Sequence, residues 1–358
     1  MSRSRRTYVR PVEVGIPYVL VALALLYGAA TVPRFLSSRQ LGSMTQTAAY
    51  IGIIAIGQTL VILIGGIDLS IPYAINLAAI LLTGWQAANL AGAPDLAIVL
   101  LIGIAIGAVN GIGVAVFDVP PLVMTLGMNS VLEGVSLLYS NGSPVGNSPS
   151  FVSTLATGEV AGIPYVVMVW AGLIAVVTCV LVFTRFGRYI YSIGASRRAS
   201  VLSGLPVRRT IVAAYALSGL SAAFGGVLLA GYSGEAYLGM GDNYLLPSIA
   251  VVVIGGTSIL GGKGSYVQTV AGALLITIID SSLITLGQSG QDILYGSVIL
   301  FMAYFFQVAT SREGRVPRSV TGGLRAFSGW LQPVYSPKAR VTAPASEPRL
   351  ERAGRAER

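Results

Sequence analysis

The sequence predicts an all-α membrane protein with many spans, and three observations favour this class. Apolar residues make up 54% of the chain, charged residues only 10%, and the mean hydropathy is +0.75. Soluble domains typically carry about 25% charged residues. The apolar residues are gathered into runs of about 20, the length that an α-helix needs to cross a bilayer. The charged residues lie mostly between these runs and at the two ends of the chain.

Ten apolar segments can each be interpreted as a membrane-spanning helix. In chain order we expect them at residues 14–32, 47–66, 71–90, 95–117, 120–139, 164–184, 210–230, 246–261, 267–287 and 291–309. The eighth is short for a straight span, which predicts a broken or re-entrant helix. The first follows a basic stretch but lacks a cleavage motif, so we expect an uncleaved helix rather than a signal peptide. The resulting regions are a basic N-terminal segment (1–13), a transmembrane domain (14–309) and a basic tail (310–358) that we expect to be disordered.

The basic residues predict which way the chain faces. With the N-terminus in the cytoplasm, every Lys and Arg except Arg34 and Arg39 falls in a cytoplasmic segment. The positive-inside rule therefore predicts that both termini are cytoplasmic. It also predicts a cytoplasmic loop at 185–209, which has six arginines and no acidic residue. Because topology explains the formal charge of +9, we expect membrane lipid rather than nucleic acid near the tail.

The residue types that the chain lacks disfavour an enzyme. There is no histidine, which is the usual general base near neutral pH and the commonest metal ligand. Cys179 is the only cysteine, and within its apolar run we expect a small buried hydrophobe. A glycine-rich string at 256–263 approaches a phosphate-binding loop, but Gly262 stands where lysine is required and Lys263 precedes another glycine. We therefore expect no ATP site, no metal and no cofactor.

The second predicted span ends in VILIGGIDLS, residues 61–70. The glycine pair permits a tight turn, and Asp68 and Ser70 can cap the helix that follows. Alternatively, this acidic corner lines a pathway or a gate through the membrane. A similar string, VVVIGGTSILGGKGS at 251–265, ends the eighth span and suggests an internal duplication of the kind found in transporters.

Polar residues inside the predicted spans are candidates for a translocation path. Thr125, Asn129, Glu133 and Ser136 share one face of the fifth span, as do Thr277, Asp280, Ser281, Thr285 and Gln288 on the ninth. A carboxylate in mid-span is costly against lipid, so these faces should meet protein or water. The candidate set for the path or gate is Gln58, Asp68, Asn76, Asn110, Thr125, Asn129, Glu133, Asp280 and Ser281. These groups could instead hold helices together. A weakly polar path would suit a neutral hydroxylated solute better than an ion.

A stripe of small residues predicts close packing of the fourth span. Gly103, Gly107 and Gly111 recur at a spacing of four, which lets a second helix backbone approach closely. Asn110 lies beside the stripe and can hydrogen-bond across the contact. We expect packing, rather than transport, to be the role of these glycines.

Four strings carry a resemblance to a known family. They are VILIGGIDLS (61–70), AIGAVNGIGVAVFDVPPLVMTLGMNS (105–130), FGRYIYSIGASRRASVLSGLPV (186–207) and IAVVVIGGTSILGGKGS (249–265). Together they resemble the permease subunits of bacterial sugar ABC importers of the ribose, xylose, arabinose and galactofuranose type, over roughly residues 14–309. The resemblance implies a permease of the inner membrane that translocates a sugar. Its implied partners are a second permease copy or a paralogue, cytoplasmic ATPase subunits and a periplasmic sugar-binding protein.

The resemblance also implies a role for the basic loop. In such permeases the loop before the second half carries a coupling helix that docks on the ATPase. The positions implied here are Phe186, Gly187, Arg188, Tyr189, Gly194, Ser203 and Gly204. The loop departs from the family pattern at Arg197 and Arg198, where acidic residues are usual, and this leaves the charge complementarity with the ATPase open.

Two alternatives remain at this point. Branched-chain amino-acid permeases have a similar FGR loop, although the GGIDLS string favours the sugar branch. An ion-coupled secondary transporter would need coupling charges, for which Glu133 and Asp280 are the strong candidates.

Overall fold

The computed structural model describes residues 11–87, 93–282, 290–291, 293, 295–297 and 300, with side chains except at 11–14 and 93. These residues are mostly helical, which confirms the all-α class. The helices are α1 (Pro11–Thr31), α2 (Ser38–Leu63), α3 (Ile71–Ala87), α4 (Ala93–Ala115), α5 (Pro121–Ser140), α6 (Ser150–Thr157), α7 (Tyr165–Phe183), α8 (Arg185–Ala195), α9 (Arg197–Leu202), α10 (Val207–Ser233), α11 (Leu245–Ile254) and α12 (Tyr266–Ser282). A 3₁₀ helix (Asp242–Tyr244) precedes α11, and strands β1 (Glu159–Val160) and β2 (Ile163–Pro164) form an antiparallel hairpin.

Five described helices are long and apolar enough to cross a membrane, namely α2, α4, α5, α7 and α10. Shorter apolar helices lie at 15–31, 242–254 and 266–282. The chain is therefore a multi-pass membrane protein. Residues 1–10, most of the tenth predicted span (291–309) and the tail lie outside the described residues, so the count of ten spans stays a prediction.

The predicted start of the second span, at residue 47, was too late. α2 starts at Ser38 rather than at residue 47 and is 26 residues long. Its first turns are polar, so no apolar run marks them. The hydroxyl of Ser37 caps the helix by accepting a hydrogen bond from the backbone N–H of Gln40 at 3.4 Å. Hydropathy thus locates the apolar part of this helix but misses its capped end.

Between α2 and α3 the backbone is irregular over residues 64–70, which we call the linker segment. It begins where Gly65 adopts a φ of +83°, a conformation that favours glycine. Irregular backbone at membrane depth is stable only when protein or a water-filled cavity surrounds it. Three spans surround the linker segment, because α4, α5 and α10 all hydrogen-bond to it.

α4 and α10 pack backbone against backbone through the predicted glycine stripe. A Cβ on Gly107 would lie only 2.0 Å from the carbonyl oxygen of Tyr215, and a Cβ on Gly111 would lie 2.6 Å from the Cα of Val212. No side chain fits at these positions, so the prediction of close packing is confirmed.

The prediction for Cys179 was wrong. Its side chain is exposed on α7 rather than buried. An apolar run has the same composition whether a residue faces the protein core or lipid, so the sequence could not separate the two.

The eighth span was predicted to be short, and α11 indeed has only 10 residues before the chain turns at Gly255.

Tyr266 at the start of α12 ties the second half of the chain to the first. Its hydroxyl donates to the carbonyl oxygen of Gly52 on α2 at 2.8 Å and accepts from the indole N–H of Trp170 on α7 at 2.9 Å. Thr59 and Thr269 form a further contact between α2 and α12, with 3.0 Å between their hydroxyls. α2 therefore lies at the centre of the bundle, and its end positions the site described next.

Candidate functional site

The linker segment carries a buried carboxylate. Asp68 is 1% exposed, and its Oδ1 accepts hydrogen bonds from the backbone N–H of Ser70 at 3.0 Å and from the Ser70 hydroxyl at 2.6 Å. Its Oδ2 accepts from the hydroxyl of Ser218 on α10 at 2.7 Å. Asn110 on α4 donates through Nδ2 to the Ser70 hydroxyl oxygen at 2.8 Å. We call these four residues the aspartate cluster.

The aspartate cluster does more than cap α3. The bonds to Ser70 are local, as a cap requires, but Ser218 belongs to α10 and Asn110 to α4. Thr125 on α5 adds a hydrogen bond from its hydroxyl to the carbonyl oxygen of Ile67, at 3.3 Å. The sequence-based expectation that Asn110 bonds across the α4 glycine contact was wrong, because its amide reaches the linker segment instead. The carboxylate therefore fixes the linker segment relative to its neighbouring spans.

A second polar region lies between α3, α5 and the 3₁₀ helix. The side chain of Glu133 on α5 is half-buried and interacts with the phenol of Tyr73 on α3. Its charge also acts on the exposed Asp242. Two carboxylates and a phenol thus converge here and offer hydrogen-bond acceptors to a hydroxylated molecule.

Several candidate residues have buried polar atoms with no hydrogen-bond partner among the described residues. They are both polar atoms of Gln58 and Asn76, the Oδ1 atoms of Asn110 and Asn129, and the Oγ of Ser136. Asn76 follows Tyr73 by one turn of α3, and Ser136 follows Glu133 by one turn of α5, so each shares a face with its neighbour. An unsatisfied buried polar group costs about 1–3 kcal/mol. Water or a polar solute that reaches these atoms would relieve that cost.

The remaining candidates lie apart from both regions. Asp280 on α12 accepts a hydrogen bond from the hydroxyl of Tyr295, and Ser281 beside it is half-buried. Thr277 is buried and donates to the carbonyl oxygen of Ala273 in its own helix. Two further residues of the predicted polar face, Thr285 and Gln288, lie outside the described residues. Among the described residues, the Asp280 carboxylate is therefore bonded to Tyr295 and makes no hydrogen bond to Glu133 or Asp68.

The loop at 185–209 contains the two helices α8 and α9, and the family resemblance implied a helix in this loop. The chain turns sharply from α7 into α8 at Gly187, where a Cβ would lie 2.1 Å from the carbonyl oxygen of Leu181. The hydroxyl of Thr184 caps α8 by accepting from the N–H of Gly187 at 3.3 Å. Gly187 is buried, so its lack of a side chain is what permits this close approach, and its role at a partner interface stays a prediction.

α8 packs directly on the end of α2 and on the loop before α12. A Cβ on Gly194 would lie 1.9 Å from the carbonyl oxygen of Leu63 and 2.4 Å from the backbone nitrogen of Gly262. The N–H of Gly262 itself donates to the Leu63 carbonyl at 2.9 Å. The hydroxyl of Tyr191 donates to the carbonyl oxygen of Gly264 at 2.9 Å. We call the contact of Leu63, Gly194 and Gly262 the glycine junction.

The glycine junction brings together the two similar strings that the sequence contains. The first string supplies Leu63 at the end of α2, and the second supplies Gly262 in the loop before α12. Sequence reasoning selected Gly194 but missed Tyr191. The signal was available, because Tyr191 and Gly194 lie three residues apart and share the buried face of α8.

The other implied docking residues differ in exposure. Ser203 and Gly204 are exposed, whereas Phe186, Arg188 and Tyr189 are half-buried. The Arg188 guanidinium donates to the carbonyl oxygen of Thr184 at 3.1 Å, so it is engaged within its own helix. Exposed polar residues that sequence reasoning did not select include Arg185, Ser192 and Arg198. Within the described residues, no group of three or more His, Cys, Asp or Glu side chains could hold a metal ion.

Comparison with known proteins identifies the family. Residues 40–303 match the family described as branched-chain amino acid transport system / permease component. The ribose import permease protein RbsC of Escherichia coli K12 is 35% identical over 79% of this chain and 91% of its own length. The chain belongs to this permease family.

Other relatives of the permease are similar over most of their length. RbsC of Haemophilus influenzae is 33% identical over 74% of this chain and 83% of its own. The autoinducer 2 import system permease protein LsrD of Escherichia coli SMS-3-5 is 33% identical over 84% of this chain and 93% of its own. No solved structure matches the chain. The aspartate cluster and the glycine junction both lie within the family match.

Proposed function

We propose that this chain is the membrane-spanning permease subunit of an ABC importer that carries a monosaccharide across the bacterial inner membrane. The observation that carries the proposal is the likeness to the ribose permease RbsC over 91% of that protein's length. The family description names branched-chain amino acids, but similarity to ribose permeases from two bacteria favours a sugar over an amino acid. The acceptors of Glu133, Tyr73 and Asp242 suit the hydroxyl groups of a sugar.

The energy for transport comes from a separate ATPase subunit in this proposal. The glycine-rich string at 256–263 is the part of the chain that most nearly fits a phosphate loop, and a phosphate loop needs free backbone N–H groups. Here the N–H groups of Gly256, Thr257, Ser258, Gly261 and Gly262 all donate to backbone carbonyls. The remaining partners in the proposal are a second permease copy or a paralogue and a periplasmic sugar-binding protein.

α8 and α9 dock the ATPase in this proposal. The exposed residues Ser203 and Gly204, with Arg185 and Arg198, supply a polar and basic surface. The glycine junction supports this role, because α8 packs backbone to backbone on Leu63, the residue directly before the linker segment, and cannot shift without moving it.

The proposed orientation places both termini and α8 in the cytoplasm, with ten spans in all. It rests on the positive-inside rule, since only Arg34 and Arg39 of the basic residues then lie outside. Single cysteines at Ser192 and at Ser143, in a Cys179→Ser background, test the orientation by labelling with a membrane-impermeant thiol reagent in intact cells. We expect labelling at 143 and none at 192. The reverse pattern would overturn the orientation.

Uptake by reconstituted vesicles tests the proposed function. The chain is incorporated alone, or together with an ATPase subunit and a sugar-binding protein from the same organism, and uptake of radiolabelled ribose and related monosaccharides is measured. We expect uptake only in the complete system and only with ATP. Proton-driven uptake by the chain alone would replace this proposal with a secondary transporter, whereas ATP-driven uptake of leucine but of no sugar would place the chain with amino-acid permeases.

A further inference from the structure

A basic cavity of about 500 Å³ opens where α4 ends and where α9 and α10 meet. Its charged lining consists of Arg197, Arg208, Arg209 and Asp118. The rest of its lining is apolar or backbone, with Val207 among the apolar residues. We call this cavity the arginine pocket. The transport role described above does not use it.

The arginine pocket has an excess of positive charge. Arg197 forms an ion pair with Asp118, with 2.8 Å between Nη2 and Oδ1. The described residues contain no other ion pair. Arg208 and Arg209 have no acidic partner in that part of the chain. The Arg197 and Asp118 side chains are 46% and 71% exposed, so the pair is open to competition by another anion.

The start of α10 adds to this positive potential. α10 begins at Val207 after Pro206, and no side chain caps its first turn. The first N–H groups of a helix have no partner within the helix, and the helix dipole is positive there. Two arginines in the first turn of an uncapped helix with 27 residues therefore form an anion-binding arrangement.

The arginine pocket lies at the level of lipid headgroups. α4 and α10 are both long enough to cross the membrane, and the pocket lies where α4 ends and α10 begins, with α9 completing its lining. Large apolar side chains beside it are exposed, with Phe117 at 73% and Leu202 at 81%. Exposed apolar residues next to arginines at the ends of spans are typical of the boundary between acyl chains and headgroups.

We propose that the arginine pocket binds the phosphate group of an anionic phospholipid. The arginine guanidinium groups match phosphate oxygens in a bidentate geometry. The N–H of Val207 already donates to the carbonyl oxygen of Leu205 at 2.8 Å, so the further donors in the first turn are the N–H groups of Arg208 and Arg209.

The apolar lining suits the glycerol and the first carbons of the acyl chains. A lipid is favoured over an acidic side chain of a partner protein, because the exposed apolar side chains of Phe117 and Leu202 flank the arginines where two spans end.

Native mass spectrometry of the purified full chain tests the proposal. The chain in neutral detergent is titrated with dioleoylphosphatidylglycerol or with dioleoylphosphatidylcholine, and bound lipid is counted. We expect one phosphatidylglycerol to bind at least about tenfold more tightly than phosphatidylcholine, because only the former is a net anion. Equal retention of the two lipids would overturn the proposal. Inorganic phosphate that binds the chain as tightly as phosphatidylglycerol does would also overturn it, since the pocket would then hold a small anion.

Paired arginine variants locate the bound lipid. The double variant Arg208→Gln, Arg209→Gln should lose the preference for phosphatidylglycerol, while the matched double variant Arg34→Gln, Arg39→Gln should keep it. If the first variant does not fold, Arg208→Lys with Arg209→Lys keeps the charge and removes the bidentate geometry, and it should bind with intermediate affinity. Lipid binding unchanged in either pocket variant would overturn the assignment. Loss of ATPase co-purification with lipid binding intact would instead identify the pocket as a protein contact.

Discussion

The linker segment is held at its two ends by different physical means. At its start, the glycine junction joins α2, α8 and the loop before α12 through backbone atoms, with space for no side chain at Gly194. At its far end, Asp68 joins the segment to α10 through a side-chain hydrogen bond of 2.7 Å. The first contact is sensitive to any atom that is added, and the second to any oxygen that is lost.

This difference indicates which end transmits motion and which end resists it. Backbone packing at Gly194 leaves no compressible side chain between α8 and Leu63, so a displacement of α8 passes to the end of α2, where the linker segment begins. The buried carboxylate holds the other end, because breaking its bonds exposes unsatisfied polar groups to a low-dielectric interior. Under the proposed function, the linker segment connects the ATPase-docking helix to the spans around Asp68.

The largest expected effect comes from removing the carboxylate. Asp68→Ala leaves the hydroxyl of Ser218 and the N–H of Ser70 without their acceptor, and we expect a loss of about 2–4 kcal/mol in the free energy of unfolding. The thermal unfolding midpoint in detergent measures it. Ser218→Ala removes one of the three hydrogen bonds and should cost about 1 kcal/mol.

A matched control sharpens this test. Ser192 is exposed on α8, so Ser192→Ala should change stability by less than about 0.5 kcal/mol. If Asp68→Ala proved no more destabilising than Ser192→Ala, the carboxylate would not hold the linker segment.

Adding one methyl group to the glycine junction should have the next largest effect. In Gly194→Ala the new Cβ meets the carbonyl oxygen of Leu63, and we expect a loss of about 1–3 kcal/mol in stability. The added methyl group forces α8 away from Leu63 and so weakens its coupling to the linker segment. In the complete transporter we therefore also expect more ATP to be hydrolysed for each sugar transported. Both the unfolding midpoint and the ratio of hydrolysis to uptake are measured.

Gly172→Ala is the control for Gly194→Ala. Gly172 lies within α7, and a Cβ there meets nothing within 4 Å. The substitution should be neutral or slightly stabilising, since alanine favours a helix by about 0.5–1 kcal/mol over glycine. Normal coupling in Gly194→Ala, or equal damage in the two variants, would contradict a transmitting role for the junction.

The sequence predicted the helical class, the glycine stripe and the basic loop because each depends on composition or on short spacing. It could not predict that Asp68 meets Ser218, since the two residues are 150 positions apart and either could have been satisfied locally. Gly194 could be selected only through the family resemblance. Its physical reason, contact with Leu63 and Gly262, depends on how three distant segments pack.

The smallest expected effect is at the second polar region. Glu133→Gln keeps the size of the side chain and removes a charge that acts on Asp242. We expect a change below about 0.5 kcal/mol in stability, because the side chain is only half-buried. Sugar uptake by the complete transporter should continue and should not respond to a proton gradient. A proton current in the wild-type chain that this variant abolishes would favour ion coupling instead.

ATP binding by the isolated chain tests the division of labour most directly. Isothermal titration of ATP with magnesium into the purified permease should give no heat of binding, because the N–H groups of all the glycines at 256–262, and those of Thr257 and Ser258, already donate to backbone carbonyls. The same preparation should support ATP hydrolysis only after a separate ATPase subunit is added. Stoichiometric ATP binding by the isolated chain, abolished by Lys263→Ala, would contradict the proposal that energy enters from a partner through α8.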